Sequence, residues 1–212
     1  MSEFIHLTTF NKEVETSLNC FSSAVFSGDG GGRISEQEPI IASNPPEYYT
    51  SREYLDIAKK DPDKHDGGPI VGRVDFLVFS SSDWSPSSVN AYNPYNTLNK
   101  FHKTITEYLV DKFGRASIVI SGDFLYRPIS SQRWHMNKTS YGQHAYLTYV
   151  KDGGKSYFRY YDHKTDKIIT SYDKPGWQIR FFEAPAEEPF FWHSIYAEEP
   201  RISLGFRILY NL

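Results

Sequence analysis

Apolar residues in the first half of the chain recur at helical spacing. The clearest stripe runs from Leu98 to Phe113, with an apolar residue at every third or fourth position, and Gly114 is suited to end the helix. Two weaker patterns predict shorter helices at 11–21 and 51–60, and two stretches rich in glycine or serine indicate loops at 28–44 and 80–94.

From Val71 onward the pattern changes to short runs of apolar and aromatic residues separated by turn residues. The first run, at 71–79, is almost continuously apolar, which is typical of a strand covered on both faces. Further strands are predicted at 116–127, 143–150, 155–162, 167–172, 176–183, 190–196 and 200–210. Short strands at this spacing predict a mainly β protein, an antiparallel sandwich or barrel, with the helix at 98–113 packed against one sheet.

The composition narrows the class of protein. Aromatic residues make up 17% of the 212 residues, which favours strands over a helical bundle. The length suits a single domain over 1–212, with supporting helices, strands and loops at 1–115 and the β core at 116–212. Cys20 is the only cysteine, which excludes an intramolecular disulfide and a four-cysteine metal site.

Charge and hydropathy exclude further classes. The net charge of −3 argues against a protein that coats nucleic acid, because such a protein needs a surplus of basic residues. No apolar run is long enough to cross a membrane. The N-terminal residues include an acidic residue and lack the apolar stretch of a secretion signal, so we expect a cytoplasmic protein.

The last predicted strand carries polar residues on one face only. Arg201 and Ser203 alternate with apolar residues, so both project from the same face, beside Gly205, which leaves room. A guanidinium group and a hydroxyl group together form a good receptor for a carboxylate. From this strand alone, an exposed face with solvated arginines is the simpler interpretation.

Two histidines upstream of this strand are candidate metal ligands. His193 stands in an apolar run, where a polar side chain is partly buried and needs a partner. In an extended segment, His135 and Asn137 point to the same side because they are two positions apart. Two imidazoles and an oxygen donor form the facial arrangement that holds non-haem iron.

The order of these features resembles the Fe(II)/2-oxoglutarate-dependent dioxygenases, in particular the prolyl-4-hydroxylase-like branch. The resemblance covers about 117–209, the C-terminal half of the chain. It implies a double-stranded β-helix, a jelly-roll fold, with supporting helices. It further implies that His135, Asn137 and His193 hold Fe(II), and that Arg201, Ser203 and Tyr149 bind the far carboxylate of 2-oxoglutarate.

Asn137 departs from the family pattern, which has an acidic ligand at this position. Asparagine offers a neutral carbonyl oxygen, so Fe(II) would be held more weakly. Three interpretations stay open: Asn137 ligates or turns away, a carboxylate such as Asp162, Asp166 or Glu183 completes the site, or the metal site is lost. His144 is an alternative to His135 as the first ligand, although the spacing from His135 to Tyr149 fits the family better.

The resemblance implies a dioxygenase that uses 2-oxoglutarate and O2, and a hydroxylase. The family acts on protein side chains, nucleobases and small molecules, and the net charge of −3 favours a protein side chain or a small molecule over nucleic acid. One alternative is a catalytically silent jelly-roll protein that binds a partner or builds an assembly, which Asn137 favours. A weaker alternative is a cupin-like enzyme that uses another metal without 2-oxoglutarate, in which Arg201 and Ser203 would be dispensable.

Overall fold

A computed structural model describes residues 4–27, 33–36, 42–78, 94–114 and 116–210. The helices are α1 (Lys12–Ser27), α2 (Arg52–Ala58) and α3 (Pro94–Phe113), and 3-10 turns cover Pro46–Thr50 and Pro62–His65. The strands are β1 (Ile5–Leu7), β2 (Arg33–Glu36), β3 (Ile70–Val71), β4 (Val74–Val78), β5 (Ala116–Tyr126), β6 (Ser130–His135), β7 (Gly142–Val150), β8 (Tyr157–Asp162), β9 (Lys167–Tyr172), β10 (Gly176–Ala184), β11 (His193–Ala197) and β12 (Arg201–Tyr210). None of the described helices is long and apolar enough to cross a membrane.

The strands form two antiparallel sheets that pack face to face. The larger sheet has the order β1-β10-β7-β12-β5-β4-β2, and the smaller has the order β3-β6-β11-β8-β9. From β5 to β12 the chain crosses repeatedly between the two sheets, so that β5, β7, β10 and β12 lie in one and β6, β8, β9 and β11 in the other. This connectivity is a double-stranded β-helix, which confirms the predicted fold class.

Strand β12 divides the apolar core from the space between the sheets. Its apolar residues Ile202, Leu204 and Phe206 join the core cluster that α1 and α3 cover. The stacked rings of Phe21 and Phe101, with centroids 4.2 Å apart, bring the two helices together over this face. The alternate residues of β12 therefore face the smaller sheet, on the side where the candidate site residues lie.

Three strand predictions differ from the structure. The run at 71–79 is two strands, β3 and β4, which belong to different sheets; the chain turns at Gly72, whose φ is +90°. Residues 33–36, predicted as part of a loop, form β2 and pair with β4. Strand β6 was not predicted, because its sequence SSQRWH is polar, yet most of its residues are buried. The loop predicted at 80–94 falls mainly outside the described residues.

The three predicted helices are present with shifted ends. Helix α3 begins before the apolar stripe and ends before Gly114, whose φ is +77°. Helix α1 extends past the predicted 11–21, and Asn11 caps it by accepting a hydrogen bond from the Val14 amide at 2.9 Å. Ser51 caps α2 in the same way through the Tyr54 amide, at 3.2 Å.

Shortening Leu204 tests the packing of the helices on the larger sheet. Leu204 is 1% exposed in the core cluster, so Leu204→Ala should lower the free energy of unfolding by about 2–5 kcal/mol. Val119→Ala, at a position of β5 that is 45% exposed, should change it by less than about 1 kcal/mol. Urea denaturation measures both values, and equal losses would contradict this packing.

Candidate functional site

The pairing of β6 with β11 brings two histidines together between the sheets. His135 ends β6, His193 begins β11, and the two residues are register partners. Their ring centroids are 4.0 Å apart, and they are 1% and 0% exposed. The sequence separates these histidines widely, so the contact depends on the antiparallel pairing of the two strands.

The backbone holds both imidazoles in the same orientation. His135 Nδ1 lies 2.7 Å from the Arg133 carbonyl oxygen, and His193 Nδ1 lies 3.0 Å from the Phe191 carbonyl oxygen. A carbonyl oxygen only accepts, so each Nδ1 carries the proton and each Nε2 keeps its lone pair. His193 Nε2 is buried and has no hydrogen-bond partner among the described residues. Such a pair is suited to bind a metal ion through Nε2.

Burial keeps both histidines neutral. It lowers the pKa of His135 to about 4, and the Arg133 carbonyl and the Asp66 carboxylate oppose this shift only in part. Burial also holds the pKa of His193 well below its usual value, and the neighbouring His135 adds to this effect. Neutral imidazoles are the form that binds metal, so no proton needs to leave at neutral pH.

Asn137 follows His135 by two residues, and its side chain is anchored by a hydrogen bond. Its Nδ2 donates a hydrogen bond to the Tyr146 hydroxyl, 3.1 Å away. Burial raises the pKa of Tyr146 to about 12, so the phenol stays protonated. The hydrogen bond leaves the carbonyl oxygen of Asn137 as the group that this residue can offer to a ligand.

The carboxylates considered from the sequence have other partners or positions. Asp162 accepts hydrogen bonds from Lys164 and Thr165 within its own turn. Asp166 pairs with Arg52, and the side chain of Glu183 belongs to an exposed position of β10. Within the described part of the chain, no three His, Cys, Asp or Glu side chains are grouped to hold a metal ion.

Asp66 is a carboxylate near His135 that sequence analysis missed. It acts on the pKa of His135, and its Oδ1 is buried without a hydrogen-bond partner among the described residues. Its backbone forms an isolated bridge with Met136, directly after His135. The residue sits far upstream in a segment with no strand pattern, so no signal in the sequence pointed to it.

A cavity of about 160 Å³ opens beside Asn137 and runs between the sheets. Its lining includes Asn137, His144, Tyr146 and Ser203, together with Gly67, Ser121, Gly122, Phe124, Gln132, Ser140, Ile195 and Gly205. His144 lies at this cavity with its Nε2 2.7 Å from the Ser140 carbonyl oxygen and its ring stacked on Phe182. It is therefore a cavity residue, whereas the direct partner of His193 is His135.

Arg201 is buried deeper than Ser203, at the next inward position of β12. Its side chain is fully buried, which excludes the interpretation of a solvated arginine face. Its Nε donates to Asp173 Oδ2 at 2.8 Å and its Nη2 donates to Thr148 Oγ1 at 3.2 Å. Burial alone would raise the pKa of Asp173, but Arg201 and Arg180 outweigh it and hold that pKa below its usual value.

The structure does not bring Tyr149 to Arg201 and Ser203. Tyr149 packs on the opposite face of the larger sheet, against Trp177 at a centroid distance of 5.3 Å. The reason is strand parity, because inward and outward residues alternate along β7. Tyr146 takes the inward position instead, and the alternation of apolar Ala145, Leu147 and Tyr149 was the signal available in the sequence.

Several solved structures are similar to this chain. An oxidoreductase of the 2OG-Fe(II) oxygenase family from Burkholderia pseudomallei has a TM-score of 0.51 at 15% identity, covering 97% of this chain and 85% of that chain. A prolyl-4-hydroxylase from Pseudomonas putida has a TM-score of 0.47 at 11% identity, covering 98% and 92%. A prolyl hydroxylase from Trichoplax adhaerens, in complex with a hypoxia inducible factor oxygen degradation domain peptide fragment, has a TM-score of 0.39 at 10% identity, covering 95% of this chain and 94% of that chain.

No protein-family model and no curated protein matches the sequence. The match to the Burkholderia pseudomallei oxygenase shows that this chain has the jelly-roll fold of that structure. The roles of individual residues rest on the geometry described above.

The buried histidines make stability depend on pH. In the unfolded chain a histidine takes up a proton near pH 6.5, whereas His135 in the fold does so only near pH 4. Between these values the unfolded chain binds more protons, so stability falls as the pH falls from 7 to 5. His135 alone should contribute about 1–2 kcal/mol to this loss, and His193 acts in the same direction. Urea denaturation at several pH values measures the slope, which should be shallower in His135→Gln; an unchanged slope would contradict the assignment.

Two neighbouring glycines provide a matched test of how His135 is held. Both have a left-handed backbone, with φ of +79° at Gly67 and +48° at Gly68. A Cβ on Gly68 would come within 2.5 Å of the His135 side chain, whereas one on Gly67 would meet nothing within 4 Å. Gly68→Ala should therefore destabilise the protein by about 1–3 kcal/mol more than Gly67→Ala. It should also shift the His135 ring signals in NMR spectra, and equal effects of the two variants would contradict this contact.

Proposed function

We propose that this protein is an Fe(II)- and 2-oxoglutarate-dependent dioxygenase that hydroxylates a protein side chain or a small molecule. His135 and His193 hold the metal, Asn137 replaces the acidic ligand, and Arg201 and Ser203 bind the far carboxylate of 2-oxoglutarate. When bound, iron and 2-oxoglutarate supply the chemistry that activates O2.

The observation that carries this proposal is the pair of buried, neutral histidines. Both rings have Nδ1 held by a backbone carbonyl, and His193 Nε2 has no partner among the described residues. A buried nitrogen without a partner is unfavourable unless a ligand occupies it. The two imidazoles therefore fit a divalent metal ion bound from one side.

Aromatic side chains support the proposal by keeping water from this position. The His193 ring packs against Phe158, Phe182 and Phe191, with centroid distances of 5.4, 5.2 and 5.5 Å. An aromatic lining that excludes water strengthens electrostatic interactions and limits side reactions at the site. Tyr146 adds a positioning role, because its hydroxyl accepts the hydrogen bond that orients Asn137.

The carboxylate-binding end also supports the proposal. Ser203 lines the cavity that Asn137 reaches from the other side, and Arg201 follows at the next inward position. The lining thus includes residues from the region of the histidines and from the region of the arginine, although His135, His193 and Arg201 themselves do not line the cavity. An oxo acid with a carboxylate at each end can contact both regions at once.

Asn137 sets the expected metal affinity. A neutral oxygen donor offsets none of the charge of Fe(II), so the affinity is lower than with a carboxylate at this position. The proposed primary substrate is a peptide or a small molecule, because the net charge of −3 gives no general attraction to the phosphates of nucleic acids.

A catalytically silent jelly-roll module is the second candidate, and two observations favour it. The amide of Asn137 is already bonded to Tyr146, and Arg201 is already paired with Asp173. In this alternative the inward polar residues stabilise the interior and bind no co-substrate. It predicts that neither metal nor 2-oxoglutarate binds.

An anaerobic titration with Fe(II) and 2-oxoglutarate tests the proposal through the visible charge-transfer band of the chelate. The wild-type protein should show the band, and Asn137→Asp should show it at metal concentrations about tenfold lower, because the carboxylate adds a charged ligand. His193→Ala should abolish it, because one of two imidazole ligands is lost.

His163→Ala is the matched control, because His163 lies in the turn after β8, outside the cavity lining. It should bind metal as the wild type does. Circular dichroism shows whether each variant folds. If neither the wild type nor Asn137→Asp gives a band, the metal hypothesis is wrong and the silent module is supported.

A further inference from the structure

Three charged side chains are buried together at the inner end of the space between the sheets. Asp173 lies in the turn between β9 and β10, Arg180 on β10 and Arg201 on β12; their exposures are 1%, 0% and 0%. Arg180 Nη2 lies 2.7 Å from Asp173 Oδ1, and Arg201 Nε lies 2.8 Å from Oδ2. Among the described residues, neither arginine forms an ion pair with any other carboxylate. The cluster therefore carries two positive charges and one negative charge.

The cluster also contains hydrogen-bond donors that have no acceptor among the described residues. The Nη1 groups of Arg180 and Arg201 are buried and have no hydrogen-bond partner within the described residues. Leaving a charged donor buried without an acceptor is costly, and so is an unbalanced buried charge. One excess positive charge with two free amino groups is complementary to one carboxylate.

The strand register places both arginines next to the cavity. Arg180 is the register partner of Tyr146, which lines the cavity. The Arg201 side chain reaches Thr148, and Thr148 is the register partner of Ser203, which also lines the cavity. The charge of Arg201 also lowers the pKa of Tyr146 against the larger, opposing effect of burial. Both arginines therefore adjoin residues that line the cavity, although the lining itself includes neither of them.

We propose that Arg180 binds the co-substrate carboxylate together with Arg201, and that Asp173 sets the charge of the cluster so that one further carboxylate neutralises it. This inference rests on the proposed function and adds to it a second carboxylate-binding arginine and a fixed counter-ion. The ligand is one carboxylate of a short aliphatic acid. A doubly charged phosphate would leave the cluster negative, so the cluster discriminates against phosphate.

Binding of succinate and 2-oxoglutarate to the full chain without added metal tests the inference by calorimetry. Wild-type protein should bind both acids and bind inorganic phosphate more weakly. Arg180→Gln should weaken binding of the acids by about tenfold or more, because a charge-assisted hydrogen bond is lost. Arg180→Lys, which keeps the charge, should recover most of the affinity. Asp173→Asn should have the opposite effect and tighten binding.

Arg159→Gln is the matched control. Arg159 lies on β8 and points to the outer side of the smaller sheet, where it donates to the Thr50 carbonyl oxygen at 3.0 Å. Its replacement should leave carboxylate affinity unchanged. Thermal unfolding of each variant with and without succinate separates loss of the site from loss of the fold, and Arg180→Gln remains decisive where Asp173→Asn does not fold.

The outcomes separate this inference from the proposed function. If Arg180→Gln binds the acids as tightly as the wild type, the role of Arg180 is wrong, while an iron and 2-oxoglutarate band still supports the proposed function. If Arg180-dependent binding of succinate occurs without any such band, the carboxylate site is supported and the proposed function is wrong. Binding of phosphate as tight as that of succinate would contradict the charge argument.

Discussion

The hydrogen bonding of β12 on both of its edges is the constraint on which the rest of the structure depends. Strands β5 and β7 flank it over nearly its whole length. Because both edges are paired, β12 cannot rotate, and its alternation assigns apolar residues to the helices and polar residues to the gap between the sheets. A slip of one residue would bury Arg201 in the apolar core cluster and lose the site.

Burial gives the polar residues in this gap their properties. Removed from water, His135 and His193 remain neutral, and Tyr146 keeps its proton. The two buried arginines lie on either side of Asp173, whose carboxylate offsets one of their two positive charges. The neutral histidines and the charged cluster both lie among the inward-facing positions, so the gap holds unprotonated imidazole nitrogens as well as a cluster with excess positive charge.

The histidine pair and the charged cluster share a lack of negative charge. Asn137 contributes no negative charge beside the histidines, and the cluster around Arg201 has one positive charge in excess. In the proposed function, one carboxylate of an anionic ligand would offset the excess charge of the cluster, and the other would offset charge on a metal ion bound at the histidines. The residue at position 137 therefore bears on whether the protein is an oxygenase or a silent module. A metal ion would add positive charge to this interior, and a neutral asparagine offsets none of it.

Local patterns in the sequence determined the fold class, most strand positions and the faces of the last strand, because the alternation of β12 and the stripe of α3 are properties of neighbouring residues. The pattern also singled out His135, Asn137, His193, Arg201 and Ser203, which carry their chemistry in their residue types. Strand β6 was not predicted, because a polar strand that is buried between sheets lacks the pattern of apolar residues by which strands are recognised. Only the tertiary structure decided that Tyr149 faces the helices and Tyr146 the cavity, that Asp66 approaches His135, and that Asp173 and Arg180 engage Arg201. These contacts join residues far apart in the chain, and pairing between strands, which no local pattern encodes, sets the distances between them.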